Sequence, residues 1–113
     1  PALAARCPIS TRVDVAVTPR PAPAIESAAY FVVAEALTNV ARHSGATNAQ
    51  VTARRDNDLL TIEVRDDGKG GAQVAPGGGL AGLTDRVEAL NGRLTVASPN
   101  GGPTIVHVEI PCG

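Results

Sequence analysis

Three polar side chains recur at a spacing of four residues inside one apolar stretch. Residues 34–44 read AEALTNVARHS, with Glu35, Asn39 and His43 in register. Residues four apart share one face of an α-helix, so these side chains form a stripe. A carboxylate and an amide beside a triphosphate offer the oxygen ligands that Mg²⁺ prefers. His43 or its neighbour Arg42, near the end of the helix, can meet phosphate charge.

A carboxylate and a hydroxyl continue the apolar faces of two strands. The period of two in a strand puts Asp66 on an aliphatic face of residues 59–66 and makes Thr104 the first residue of another such face. The aliphatic members are Leu60, Ile62, Val64, Val106, Val108 and Ile110. A buried carboxylate needs a partner. A carboxylate accepts from an exocyclic amine and a hydroxyl can donate or accept, directly or through water, so the pair suits an adenine edge.

Glycines are concentrated between this aspartate and the next helix. Residues 67–79 hold six of the chain's 12 glycines, and Gly77-Gly78-Gly79-Leu80 opens the helix. Glycines at a helix start let backbone N–H groups approach a phosphate, which the helix dipole also favours. The run lacks the G-K-[ST] ending of a Walker loop, and its spacing and antiparallel context do not fit the dinucleotide-binding fingerprint.

The remaining pattern predicts the elements that hold these groups. Alternation and turn chemistry predict a strand, a helix, a hairpin, a glycine-rich loop, a second helix and two more strands. This order predicts an α+β fold, a two-layer sandwich with a mixed, mostly antiparallel sheet covered on one face by helices. The predicted ranges are a strand at residues 13–17, helices at 24–44 and 80–91 closed by Gly45 and Gly92, and strands at 48–55, 59–66, 93–97 and 104–110. The predicted core face of the first helix is Ala29, Val33, Ala36, Leu37 and Val40.

Composition limits the possible partners. The chain has 113 residues, the size of one domain, and a net charge of −1, without the clustered basic residues of a nucleic-acid footprint. No apolar run is long enough for a membrane span. Cys7 and Cys112 are expected to be ordinary thiols. Because the chain begins with Pro1, we expect an excised piece, residues 1–113 forming one domain and residues 1–8 the remnant of an upstream linker.

Four motifs together resemble the GHKL ATPase superfamily, and within it the catalytic ATP-binding domain of bacterial sensor histidine kinases. The segment from Glu35 to His43 resembles the N box, and Asp66-Asp-Gly-Lys-Gly70 resembles the first glycine box. Residues 77–83 resemble the second glycine box and residues 101–111 the closing strand, so the resemblance covers residues 9–111. The short loop between the glycine boxes resembles the short-lid subfamily that pairs with NarL-type response regulators.

The resemblance implies the Bergerat-type ATP-binding fold and a role for each matching residue. Asn39 would ligate Mg²⁺, and Glu35 would act through water as a base or organiser. Asp66 would accept from the adenine amino group, with Thr104 supporting it through water. The other implied ATP-binding residues are Arg42 and His43 at the phosphates, Gly68 and Gly70 beside the adenine, and Gly77, Gly78, Gly79, Leu80 and Gly82 at the phosphate loop and helix start.

The implied activity is transfer of the γ-phosphate of Mg·ATP to a histidine on a separate dimerisation domain in two-component signalling. Neither histidine of the chain, His43 or His107, is followed by the acidic residue typical of an acceptor helix. We therefore expect a cytoplasmic, monomeric fragment that lacks the acceptor domain and meets a NarL-type response regulator only indirectly. Direct contact with nucleic acid or membrane is not expected.

Alternatives remain open at this stage. The same boxes occur in anti-sigma-factor serine kinases, and an interaction module of the same fold can lack nucleotide. Glu35 and Asn39 can form a solvated helix face, and His43 can simply satisfy helix-end carbonyls. Asp66 can pair with an internal arginine. Thr104 can be present only because threonine favours β-strands.

Overall fold

The computed structural model describes residues 10–40, 47–68, 79–99 and 101–112. Five strands form one sheet in the order β1-β2-β3-β5-β4, in which β1 runs parallel to β2 and the other neighbours are antiparallel. The elements are β1 Ser10–Ala16, α1 Pro23–Asn39, β2 Asn48–Asp56, β3 Leu59–Asp66, α2 Gly79–Glu88, β4 Arg93–Ala97 and β5 Thr104–Pro111. The predicted order of elements and the mixed α+β sheet are confirmed.

One row of valines crosses the whole sheet. Val13, Val51, Val64, Val106 and Val96 are register partners from β1 through to β4. The three central members are buried and the two at the edges are partly buried against the same core. Branched side chains pack well on a pleated surface, which lets a chain without Trp or Met build a sheet core.

The face that helix α1 buries against the core differs in part from the predicted one. Its buried residues include Ala28 and Val32, whereas Ala29 and Val33 are only partly buried. The predicted burial of the remaining positions is confirmed for Ala36, Leu37 and Val40. Ala29 and Val33 instead line an apolar groove of about 280 Å³ between β1 and α1. The predicted end of this helix near Gly45 lies outside the described residues.

Helix α2 ends sooner than predicted, at Glu88 rather than Asn91. The Gly92 amide donates to the carbonyl of Val87, and the Asn91 amide donates to that of Glu88, both at 3.0 Å. These two bonds form a Schellman motif, with Asn91 in the left-handed conformation at φ 62°. Gly92 is the residue after the left-handed position, and its amide closes the helix, as predicted.

The two helices contact each other through an aromatic ring and a cation. The guanidinium carbon of Arg86 lies 4.2 Å from the centre of the Phe31 ring. Such a contact adds attraction between the electron-rich face of the ring and the charge.

Among the described residues, no helix is both long enough and apolar enough to cross a membrane.

Candidate functional site

Asp66 and Thr104 form a polar pair inside an otherwise aliphatic sheet face. They are register partners at the last position of β3 and the first position of β5. Only 3% of Asp66 and 6% of Thr104 is exposed. The prediction that both side chains point inward is therefore confirmed. The pair sits where the β3–β5 ladder ends, so a ligand can approach it from the sheet edge.

The carboxylate of Asp66 is held by the turn that follows it. The Gly68 amide donates to Asp66 Oδ1 at 2.7 Å, which makes an Asx turn over the buried Gly68. Burial raises the pKa of Asp66, the Asp67 charge raises it further, and the Gly68 hydrogen bond partly offsets the rise. Within the described part of the chain, no arginine pairs with Asp66. An amino group on a ligand would supply the donor that this buried carboxylate favours.

Ser98 joins the site, although the sequence analysis did not single it out. Its Oγ lies 2.6 Å from Thr104 Oγ1, and either hydroxyl can donate. The turn between β4 and β5 brings the two together, with Gly101 at φ 94° and Gly102 at φ 75° and the Gly102 amide bonded to the Pro99 carbonyl. The signal was available, because Ser98 continues the inward face of Leu94 and Val96 by the period of two.

Asp67 is a second residue that the sequence analysis missed. Its Oδ1 accepts from the amides of Thr47 at 2.9 Å and Asn48 at 3.0 Å. Its Oδ2 accepts from Thr47 Oγ1 at 3.1 Å and Asn48 Nδ2 at 3.0 Å. These donors, Asn48 foremost, lower the pKa of Asp67 to about 2. We call this group of three residues the Asp67 clamp.

The structure describes both helix residues that the sequence predicts beside the metal and the phosphates. Glu35 is exposed and Asn39, the last residue of α1, is half-buried. Their carboxylate and amide oxygens fit Mg²⁺, which is commonly held by one or two protein groups together with substrate phosphates. Among the described residues, no group of three or more His, Cys, Asp or Glu side chains could hold a metal ion.

Several of the predicted ATP-binding residues are not placed by the structure. Arg42, His43, Gly70, Gly77 and Gly78 lie outside the described residues. Gly79 and Leu80 are the first two residues of α2, as predicted for a helix start. Gly82 is exposed, and a Cβ there would meet nothing within 4 Å among the described atoms. The structure therefore gives no packing reason for a glycine at position 82.

Residues 24–113 match the family of histidine kinase-, DNA gyrase B- and HSP90-like ATPases. The chain belongs to this ATPase family. The buried aspartate, the glycine turn behind it and the mixed sheet thus lie in a domain of this ATPase family.

Relatives within the ATPase family are named as sensor histidine kinases. The sensor histidine kinase YvfT of Bacillus subtilis is 41% identical over 78 residues, which are 68% of this chain and 20% of the relative. The sensor histidine kinase NarS of Mycobacterium tuberculosis is 39% identical over 95 residues, which are 77% of this chain and 22% of the relative. The chain therefore spans about a fifth of the length of these relatives.

Solved structures of histidine kinases share the fold. The Acinetobacter baumannii histidine kinase AdeS matches with a TM-score of 0.78 at 19% identity, covering 99% of this chain and 58% of that one. The histidine kinase domain of the blue-light activated kinase from Erythrobacter litoralis matches with a TM-score of 0.74 at 24% identity, covering 98% and 56%. At these identities the likeness supports the architecture alone.

Proposed function

We propose that this domain binds Mg·ATP and supplies the γ-phosphate for phosphorylation of a histidine on a separate dimerisation domain. The observation that carries the proposal is the buried Asp66 carboxylate opposite Thr104, with the Gly68 turn behind it. A carboxylate that has no cationic partner in the described part of the chain, at the open end of a sheet, is suited to accept from the adenine amino group. Thr104, oriented by Ser98, would complete the contact to the ring directly or through water.

The phosphate side of the proposed site would come from α1 and from the segments around the glycine boxes. Asn39 would ligate Mg²⁺, with Glu35 acting through water as a base or organiser. Arg42 and His43 would contact phosphate oxygens, and the glycines would approach the nucleotide with their backbone: Gly68, Gly70, Gly77, Gly78 and Gly79, followed by Leu80. Mg²⁺ supplies charge neutralisation between the phosphates when it is bound.

Catalysis in this proposal is mostly positioning. Phosphoryl transfer requires the acceptor in line with the γ-phosphate, and the protein contributes orientation and electrostatic stabilisation. His107 stands on the outer face of β5 beside Glu63 and Glu109, on the face opposite to Asp66, and is unsuited as the acceptor. The acceptor would belong to another domain of the parent protein, in the cytoplasm, and a NarL-type response regulator would receive the phosphoryl group afterwards.

A thermal melt of this chain with Mg·ATP, Mg·GTP or no nucleotide tests the proposal. A ligand at about 100 times its dissociation constant stabilises the folded state by about 2.7 kcal/mol, which raises the melting temperature by several degrees. We expect a shift with Mg·ATP and little or none with Mg·GTP. No shift at millimolar concentrations of either nucleotide would overturn the proposal and favour a nucleotide-free interaction module.

The metal role of Asn39 has its own test. Asn39→Ala should remove the difference between melts with Mg·ATP and melts with ATP in EDTA. Thr38→Ala is the matched control, because Thr38 is exposed on the same helix and its hydroxyl donates along α1, to the Ala34 carbonyl. A magnesium dependence that survives Asn39→Ala would contradict this assignment.

A further inference from the structure

The Asp67 clamp joins two parts of the chain that are distant in sequence. Its donors are Asn48, the first residue of β2, and Thr47 just before that strand, whereas Asp67 follows the last residue of β3. The Asp67 amide also donates to the Asn48 carbonyl at 3.1 Å, so the clamp adds one more backbone bond to the β2–β3 ladder. Both carboxylate oxygens and the amide of one residue therefore hold the start of β2.

One side of the clamp adjoins the proposed adenine turn, and the other follows the N box in sequence. Asp67 stands between Asp66, the proposed adenine acceptor, and Gly68, whose amide orients that acceptor. Thr47 follows residues 40–46, which connect it to Asn39 and contain Arg42 and His43. The clamp is thus the side-chain link between the adenine turn and the start of the strand that follows the N box.

Asp67 does not face the nucleotide pocket itself. Successive side chains of a strand point to opposite faces, and Asp66 points to the helix-covered face. Asp67 points to the other face, where it is exposed and lies beside Arg12, Gln50 and Arg65 in a shallow depression. Asp67 can therefore affect nucleotide binding through the backbone of Asp66 and Gly68, or through its charge, which Asp67→Asn also removes.

We infer that Asp67 is a positioning residue for nucleotide selectivity, and that its clamp fixes the Asp66–Gly68 turn in the geometry that recognises adenine. The inference rests on the proposed function. Strand ends fray readily because the ladder of backbone hydrogen bonds does not continue beyond them. The β2–β3 ladder ends at the position where Asp66 must present its carboxylate. The clamp holds this end closed without occupying the pocket.

Titration calorimetry of this chain with Mg·ATP and Mg·GTP separates positioning from plain stabilisation. Asp67→Ala removes all four side-chain bonds, and we expect the selectivity, the GTP over ATP ratio of dissociation constants, to fall roughly tenfold, as the loss of a charge-assisted contact implies. Asp67→Asn keeps an oxygen acceptor for the amides of Thr47 and Asn48, so selectivity should remain within about threefold of wild type.

Arg55→Ala is the matched control for lost stability. Arg55 also lies in β2 and donates to three backbone carbonyls, those of Asn57, Pro19 and Cys112. It lies seven residues from Asn48, or about 23 Å along an extended strand. Its loss should lower the melting temperature and leave the selectivity unchanged.

The outcomes distinguish the inference from the function beneath it. A wild-type chain that binds neither nucleotide overturns the proposed function and this inference with it. Wild-type binding with unchanged selectivity in Asp67→Ala overturns the inference alone. Should Asp67→Ala fail to fold, Asp67→Leu decides the matter, because it keeps a side chain of similar shape and removes every acceptor of the clamp, and an unchanged selectivity there also overturns the inference.

Discussion

Asp66 and Asp67 are consecutive, yet their carboxylates lie on opposite faces of the sheet and their pKa values move in opposite directions. Burial raises the pKa of Asp66, whereas donors from Asn48 and Thr47 lower that of Asp67 to about 2. Ionised Asp66 thus costs the folded state stability, and ionised Asp67 stabilises it. A ligand that donates a hydrogen bond to Asp66 would offset the cost of its charge. The bonds to ionised Asp67 keep the end of the strand in place.

The opposite shifts predict how stability depends on pH. The contribution of Asp67 is present above its ordinary pKa of 3.8 and is lost as the pH falls towards about 2. Asp67→Asn should therefore be less stable than wild type at neutral pH, and the gap should close between about pH 4 and about pH 2. Urea denaturation across this range measures the gap in the free energy of unfolding.

Asp58→Asn controls for net charge in that experiment, because it removes one acidic group from the hairpin turn at the other end of β3. A gap between wild type and Asp67→Asn that stays constant from neutral pH to pH 2 would contradict the assignment. For Asp66 the sign is reversed: its contribution is fully present below 3.8 and is lost as the pH rises through its raised pKa.

Asp66→Asn should separate binding from stability. The amide would turn a donor towards the adenine amino group and lose the charge, so the dissociation constant for ATP should rise roughly 10- to 100-fold. The melting temperature without nucleotide should stay the same or rise, because a buried charge has been removed. Glu63→Gln, on the outer face of the same strand, is the matched control, and an unaltered ATP-over-GTP preference in Asp66→Asn would contradict the adenine assignment.

Sequence periodicity was sufficient to place Asp66 and Thr104 but not to fix the face of α1. The period of two in a strand leaves one assignment of faces once its aliphatic residues are identified. Helix α1 instead contains apolar doublets at Ala28-Ala29, Val32-Val33 and Ala36-Leu37. Each doublet offers two helix edges about 100° apart, and only packing against the sheet decides between them.

The contacts of Ser98 and Asp67 depend on tertiary structure in a similar way. Ser98 reaches Thr104 because Gly101 and Gly102 turn the chain at positive φ. Asp67 reaches Thr47 because of the β2–β3 register, which sets residues 19 and 20 positions apart side by side. Such pairings follow from strand register and turn geometry, which sequence patterns specify only loosely.

A double-mutant cycle tests whether Ser98 acts through Thr104. Thr104→Val keeps the shape of the side chain and removes the hydroxyl, and Ser98→Ala removes its partner. Each should weaken ATP binding by roughly two- to tenfold, the worth of one neutral hydrogen bond. The double variant should match Thr104→Val alone, since the two hydroxyls act as one unit. Thr95→Val, on the exposed face of β4, is the control, and fully additive losses would show that Ser98 acts independently.

Two glycines at opposite ends of α2 should respond differently to alanine. A Cβ at Gly92 would lie 2.6 Å from the Glu109 carbonyl oxygen and 2.8 Å from Val87 Cγ1, closer than real contacts allow. Because the backbone oxygen belongs to the adjacent strand, β5, Gly92→Ala should cost about 1–3 kcal/mol in the free energy of unfolding. Among the atoms that the structure describes, a Cβ at Gly82 meets nothing within 4 Å, and Gly82→Ala should gain about 0.5–1 kcal/mol from helix propensity. Urea denaturation of the two variants side by side provides the measurement. A Gly92→Ala chain as stable as wild type would show that α2 and β5 can separate without loss, which the Schellman motif and the close packing at Gly92 argue against.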